Sequence, residues 1–425
     1  MSAKDIMALA NNWNNVEDPF LGSGIMTLIR VAYEQFPYQD QLVDLIPRYL
    51  MILTETKPHT PALDVPGVFH SKTGLGIEEF MKIGLAFYSG SLVSPSFARG
   101  FLEGTKVEKL KPLLAPEKID AFLRVAAADF PTFRDLCLRE EKEAPEAGKW
   151  TFNSLVSRPV VILPDGRFCV PIPRLLVHRI TKGIYYDMVE ALDTDAHHPF
   201  TDWFGHAFEE YGGIVLQTAL GESNVYPEPA YGSPEKHGPD WTVLGQDIGL
   251  AMEFRSSRLP KMVRTTTQRD EVMNSVRRGL AQTVRRLPAK IRDILDGRAG
   301  LSASGVTELV PAVVTLEEWY PGALIADLVR AELSKEGVVA GRFQLMSIRD
   351  LEWLATWAQR EHPAVVLRDK LSDPALDDLS VSQYLRKRAD EKGLSFPRRV
   401  LKDRASAFFD EIIGSDGQGD HIEPQ

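Results

Sequence analysis

The sequence predicts an α/β protein with a mainly α-helical N-terminal domain, and three observations carry that expectation. Apolar residues recur at helical spacing through the first 140 positions, β-branched runs bounded by turn signals begin near position 158, and from about position 200 helical and strand-like segments alternate. A chain of 425 residues exceeds the length, about 250 to 300 residues, at which a single core stops growing. Four regions are expected: a helical N-terminal domain over 1–145, a β-hairpin and connecting segment over 150–200, an α/β domain over 201–360, and a basic helical C-terminal segment with a disordered tail over 361–425.

Each element has a local reason. Ile25, Leu28, Ile29, Ala32 and Phe36 share one helical face, and "DQLVDLIPRYLMILTE" continues the pattern until "KPHTPALDVPG" and then "VSPS" interrupt it. "EEKEAPEAGK" (140–149) mixes charge with Pro and Gly and reads as a linker. In "RPVVILPDGRFCVPIP" two β-branched runs flank "PDGR", a hairpin whose tight turn gives Asp165 a structural role. Thr201 is the expected N-cap of a helix carrying Phe204, Phe208, Tyr211 and Val215 on one face. "NVYPEPAYG" is a short extended piece, and "PDWTVLG" and "IGLAMEFRS", joined by "GQDIG", suit two neighbouring strands. In "RDEVMNSVRRGLAQTVRRL", Met273, Val276, Leu280, Val284 and Leu287 make an apolar face and Arg278, Gln282, Arg285 and Arg286 lie opposite. "TELVPAVVTLE" is a buried strand; a helix over about 324–333, a strand at "RFQLMSI" and a helix at "RDLEWLATWAQ" follow, and "GSDGQGDHIEPQ" reads as disordered.

Composition narrows the function classes. An apolar share of 44% and a charged share of 25% are those of a globular protein, and no run approaches the roughly 18 apolar residues of a membrane span, so no membrane association is expected. The N-terminus lacks the basic and apolar blocks of a secretory signal, and Cys137 and Cys169 stand far apart without metal-type spacing; a cytoplasmic setting is the expectation. The net charge of −10 is uneven: 255–298 holds twelve Lys/Arg against four Asp/Glu, leaving −10 − 8 = −18 elsewhere, and 384–404 holds eight against three. Such runs are commonly solvated helix faces, but two of them in an acidic chain mark a candidate site for an anionic polymer.

The chemistry concentrates in "GPDWTVLGQDIGLAMEFRSSR". Successive strand side chains alternate faces, so Glu253 and Arg255 project together while Phe254 points to the core. If "PDWTV" pairs alongside, Asp240 reaches the same face, and two carboxylates at one place suit a hard divalent cation such as Mg²⁺. Such a cation would polarise a phosphate and acidify an attacking water, with Arg255 stabilising charge on phosphorus.

A helix with "FGHAFEEY", a strand, the "GPDW" strand, the "MEFR" strand, a basic helix and the "LVPAVVT" strand, in that order, resemble the PD-(D/E)XK superfamily of restriction-endonuclease-like nucleases over 201–315, about a quarter of the chain. A Pro-Asp pair or a Glu-x-Arg alone carries little specificity; the order and spacing carry the resemblance. It implies a mixed four-stranded sheet flanked by helices in αβββαβ order, a nuclease-like α/β domain, and Mg²⁺ or Mn²⁺ held by Asp240, Glu253 and Glu209, with Glu210 the solvated neighbour. Arg255 stands where the family has Lys; a guanidinium stabilises a phosphoryl group but stays protonated, and Lys261 is the candidate replacement ammonium. Arg258, Lys261, Arg278, Gln282, Arg285 and Arg286 are the candidate nucleic-acid contacts.

Other clusters read structurally. Asp193, Asp195, His197, His198, Asp202 and His206 form a polar loop entering a helix, with Pro199 and the Thr201 cap keeping His198 off the helix face. "GSG" (22–24) and "SASG" (302–305) lack phosphate-loop context and are turns; Trp203, Trp241, Trp319, Trp353 and Trp357 read as core. The expected function is a metal-dependent nucleic-acid phosphodiesterase, a DNA endonuclease before an RNase, for which the family implies a bacterial antiphage defence or repair setting. The helical N-terminal domain would select substrate or hold a second copy or a partner protein. Two alternatives stand: a catalytically degraded nuclease fold that binds nucleic acid or organises a complex, and a helical interaction protein whose middle domain only resembles a nuclease.

Overall fold

The computed structural model describes residues 40–58, 62–104, 110–143, 152–258, 269–301, 303, 305–319, 322–338 and 341–413. The helix expected over 20–36, Lys261 and the C-terminal tail lie outside them. Helices α1 (Leu42–Thr54), α2 (Val65–Thr73) and α3 (Ile77–Val93) are followed by β1 (Ser96–Phe97), α4 (Arg99–Glu103), α5 (Pro116–Ala126), β2 (Ala127–Asp129) and α6 (Phe130–Glu143). The expected hairpin forms as β3 (Val160–Ile162) and β4 (Phe168–Cys169), with Gly166 at φ 81° in its turn and Asp165 accepting from the Arg167 amide at 3.1 Å. It joins the two short N-terminal strands in a four-stranded sheet of order β1-β4-β3-β2. Phe80, Phe87 and Phe122 pack ring against ring beneath it, with centroids 5.0 Å apart in both pairs.

After α7 (Pro173–Arg179) and α8 (Lys182–Leu192) comes the long helix α9 (Pro199–Leu220). Its N-terminus corrects one expectation. Thr201 is not the cap but sits inside the first turn, because Pro199 opens the helix at its first position; the Asp193 carboxylate accepts from the Phe200 and Thr201 amides at 2.9 and 3.2 Å and from the Thr201 hydroxyl.

The remaining elements build the main sheet. β5 (Val225–Pro227), a small ribbon of β6 (Ala230–Tyr231) and β7 (Lys236–His237), β8 (Trp241–Leu244) and β9 (Ile248–Arg255) lead into α10 (Arg269–Val276), a wide π turn (Arg277–Ala281) and α11 (Gln282–Leu295). Then come β10 (Glu308–Thr315), α12 (Gly322–Lys335), β11 (Gln344–Ser347), α13 (Ile348–Trp357), α14 (Pro363–Ser372), α15 (Val381–Lys392) and α16 (Lys402–Ile413). The sheet is mixed and flanked by helices, as expected, but has five strands in the order β11-β10-β9-β8-β5 rather than four. The short run expected as a separate strand at "RFQLMSI" adds β11 in parallel beyond β10, because α12 returns the chain to the same end of the sheet. β9 and β10 are parallel, β8 and β9 antiparallel.

Alternation sorts the strand residues between two helical layers. Leu250, Met252, Phe254, Val310, Ala312 and Val314 face α9 and its companions, while Ala251, Leu309 and Val313 face α10, α11 and α12. The five apolar residues expected on the α10–α11 face, Met273 through Leu287, are all buried. One cluster of buried apolar residues includes Leu45, Val160, Phe204 and Leu385, so all four regions share it. A buried ion pair runs through this core: Arg48 of α1 donates to both oxygens of Glu352 of α13 at 2.6 and 2.7 Å, and Tyr211 of α9 donates to the same carboxylate at 2.7 Å. Among the described residues no helix is long and apolar enough to cross a membrane.

Helix α9 lies against β8 and β9 at two consecutive glycines. A Cβ on Gly212 would fall 2.1 Å from the Phe254 ring, and one on Gly213 would fall 2.0 Å from the Trp241 ring. Both rings are buried and have nowhere to go, so the missing side chains set the helix-to-sheet distance. Replacing Gly213 by Val is expected to destabilise the fold by about 1–3 kcal/mol through overpacking. Gly100→Ala, where nothing lies within 4 Å of the added carbon, is expected to leave stability unchanged or slightly raised. Thermal unfolding of the two variants checks the contrast.

Candidate active site

The strand register brings the two acids together. β8 and β9 pair Trp241 with Met252, so one step further Asp240 stands opposite Glu253. Trp241 and Phe254 face α9, and alternation therefore turns Asp240 and Glu253 toward α11. Both are deeply buried, at 7% and 1% relative exposure.

Three bonds and one longer contact hold this pair. Asp240 Oδ2 accepts from the Phe254 amide at 2.7 Å and lies 3.7 Å from Arg255 Nη1. Glu253 Oε2 accepts from Arg255 Nη2 at 2.9 Å, and its other oxygen, Oε1, accepts from Lys290 Nζ at 2.5 Å. Arg255 is anchored from behind: Nε donates to Thr283 Oγ1 of α11 at 2.7 Å and Nη1 to the Phe254 carbonyl at 2.7 Å. The guanidinium thus bridges the two strand ends with its direction fixed.

Lys290 was not legible as a site residue from sequence, where Lys261 was the expected ammonium. It lies seven residues, two helical turns, beyond Thr283, and both reach the same strand from one face of α11. That spacing is a signal visible in the sequence, but only once Thr283 is known to touch Arg255.

Glu209, expected as the third acid, sits on α9, and its backbone carbonyl accepts from Trp241 Nε1 at 2.9 Å. Burial raises its carboxyl above the ordinary range; His206 and Arg255 oppose the rise and the charges of Glu228 and Glu253 add to it. His206 Nδ1 lies 4.0 Å from its Oε2. Among the described residues no three His, Cys, Asp or Glu side chains form a group that could hold a metal ion. The strand register sets Asp240 and Glu253 opposite one another, and Glu209 is felt at Asp240 through its charge. Its neighbour Glu210, expected to be solvated, accepts from the Lys57 amide at 2.8 Å.

The candidate nucleic-acid contacts divide. Arg278, Gln282, Arg285 and Arg286 are exposed along α10–α11, and Arg285 pairs with Glu336 at 3.0 Å. Arg258 turns inward. Beyond the end of β9 the chain leads Arg258 to the α9 side, where the guanidinium, its side chain 7% exposed, lies 3.7 Å over the Tyr185 ring with Phe204 and Tyr186 beside it and Glu317 at 3.4 Å. The second basic stretch is largely spent on internal pairs: Arg388 with Glu361 at 2.6 Å and Asp369 at 2.8 Å, Arg399 with Asp44, and Arg404 with Glu55 at 3.1 Å.

Burial, reinforced by the charges of Glu253 and Glu209, pushes the Asp240 carboxyl up to about 8, with Arg255 and the Phe254 amide only partly opposing. Two hard oxygen donors side by side, one of them an under-partnered carboxyl, are donors of the kind a divalent cation takes, and Mg²⁺ typically binds one or two carboxylates and completes its shell with water and phosphate oxygens.

A carboxyl raised in the folded state favours folding while protonated, and that advantage fades as pH climbs from the unfolded value near 3.8 through about 8. Asp240→Asn, neutral at every pH, is expected to melt a few degrees above the wild type at pH 9 in EDTA and close to it at pH 4. An equal difference at both pH values would contradict this reading of the site. No protein-family model, curated protein or solved structure matches the chain.

Proposed function

We propose that this chain is a metal-dependent phosphodiesterase acting on nucleic acid, DNA before RNA, of the PD-(D/E)XK kind. The observation that supports it most directly is the meeting of Asp240 and Glu253 at the paired ends of β8 and β9, with Arg255 bridging them and Lys290 arriving from the next helix. The succession of α9, β5, β8, β9, α10–α11 and β10, with β9 and β10 parallel, is in keeping with it.

In this reading Asp240 and Glu253 would hold the cation, which would polarise a phosphate and make a water more acidic. Arg255, fixed by Thr283 and the Phe254 carbonyl, presents its charge beside the carboxylates, where negative charge would grow on the phosphoryl oxygens. Lys290 brings a second positive charge to Glu253 from α11. Glu209 adds negative charge that favours cation binding. The exposed Arg278, Gln282 and Arg286 run along the same helix pair and suit backbone phosphates without reading bases.

A second reading, a degraded nuclease fold that binds nucleic acid without cutting it, has one observation in its favour: both Glu253 oxygens are already engaged by cations. Degradation of linear and plasmid DNA, and of RNA, in Mg²⁺ or Mn²⁺ separates the two. The wild type is expected to cut, and Asp240→Ala to lose at least about 100-fold, since removing even an outer partner of a metal ligand costs 10–100-fold. DNA binding that weakens with salt and remains in Asp240→Ala, without cutting by the wild type under any metal, would select the second reading. Equal degradation by both proteins would reject the proposed site.

A further inference from the structure

We propose that Lys290 is a built-in counter-ion which a divalent cation must displace from Glu253. This rests on the reading of Asp240 and Glu253 as a metal site. It starts from a buried charge: Glu253 is 1% exposed, and an ionised carboxylate so deep needs partners for its lone pairs.

The two partners differ in what else holds them. The Arg255 guanidinium is tied at three further points, to Thr283 Oγ1 at 2.7 Å, to the Phe254 carbonyl at 2.7 Å and, more loosely, to Asp240 at 3.7 Å. Among the described residues Lys290 has one side-chain partner, Glu253, and its flexible four-carbon stem is 19% exposed. When a cation takes Glu253 Oε1, like charges meet at one oxygen, and Lys290 is the one free to leave. Its ammonium then leaves Glu253, and the partial exposure of the side chain gives it access to water. The buried carboxylate exchanges one cationic partner for another and is never left bare.

Competition of this kind is read in metal affinity, independently of cleavage. Mn²⁺ binding is measured by titration calorimetry for the full chain and for Lys290→Met, Lys290→Gln, Lys290→Arg and Asp240→Asn, with thermal unfolding confirming that each is folded. Both neutral variants are expected to bind Mn²⁺ about 10-fold or more tightly than the wild type, Lys290→Arg to stay near it, and Asp240→Asn to lose binding. Lys290→Gln serves if Lys290→Met does not fold, since it keeps a donor for Glu253 without the charge. Binding by the neutral variants that is no tighter than the wild type's, while Asp240→Asn loses it, would overturn the role of Lys290 and leave the metal site standing. Binding indifferent to Asp240→Asn, or absent from every variant, would overturn both.

Discussion

The close seating of α9 on β8 and β9 is the constraint on which the rest depends. Gly212 and Gly213 have no side chain where the Phe254 and Trp241 rings lie, and the Trp241 indole closes the contact by donating to the Glu209 carbonyl. With those two rings pinned on one face, alternation leaves Asp240, Glu253 and Arg255 no choice but the other. A one-residue slip in either strand would exchange that strand's apolar and acidic sets and turn its carboxylate, Asp240 or Glu253, toward α9.

Placing two carboxylates side by side in a buried strand junction costs stability, and the surroundings only partly offset it. Glu253 is matched by two cations, whereas Asp240 has one amide bond and a more distant guanidinium, and burial together with Glu253 and Glu209 keeps its proton on. Groups perturbed by an imbalance of this sort cluster at functional sites. The buried Arg48–Glu352–Tyr211 cluster is its structural counterpart: equally deep, but with both carboxylate oxygens satisfied, it serves to tie α1 and α13 to α9.

Much of this arrangement was legible because it follows from period. The two-residue repeat in "IGLAMEFR" places Glu253 with Arg255, and the helical repeat from Met273 to Leu287 names the buried face of α10–α11. What escaped depends on how distant elements meet. Lys290 looked like one more residue of a basic helix until α11 was laid across β9. Arg258 belongs by charge to a basic patch, yet past the end of β9 the chain carries it to the α9 side, into the rings of Tyr185 and Phe204. The capping of α9 by Asp193 required a loop to fold back over seven residues, and β11 joined the sheet only through the return path of α12.

The central claim is that Asp240 and Glu253 share one divalent cation. A crystal grown with Mn²⁺ and measured at the manganese edge tests it most directly. A shared cation gives an anomalous peak within about 2.5 Å of an oxygen from each carboxylate, with Lys290 Nζ withdrawn from Glu253. Saturating Mn²⁺ with no peak there, and the Lys290–Glu253 bond intact, would contradict it.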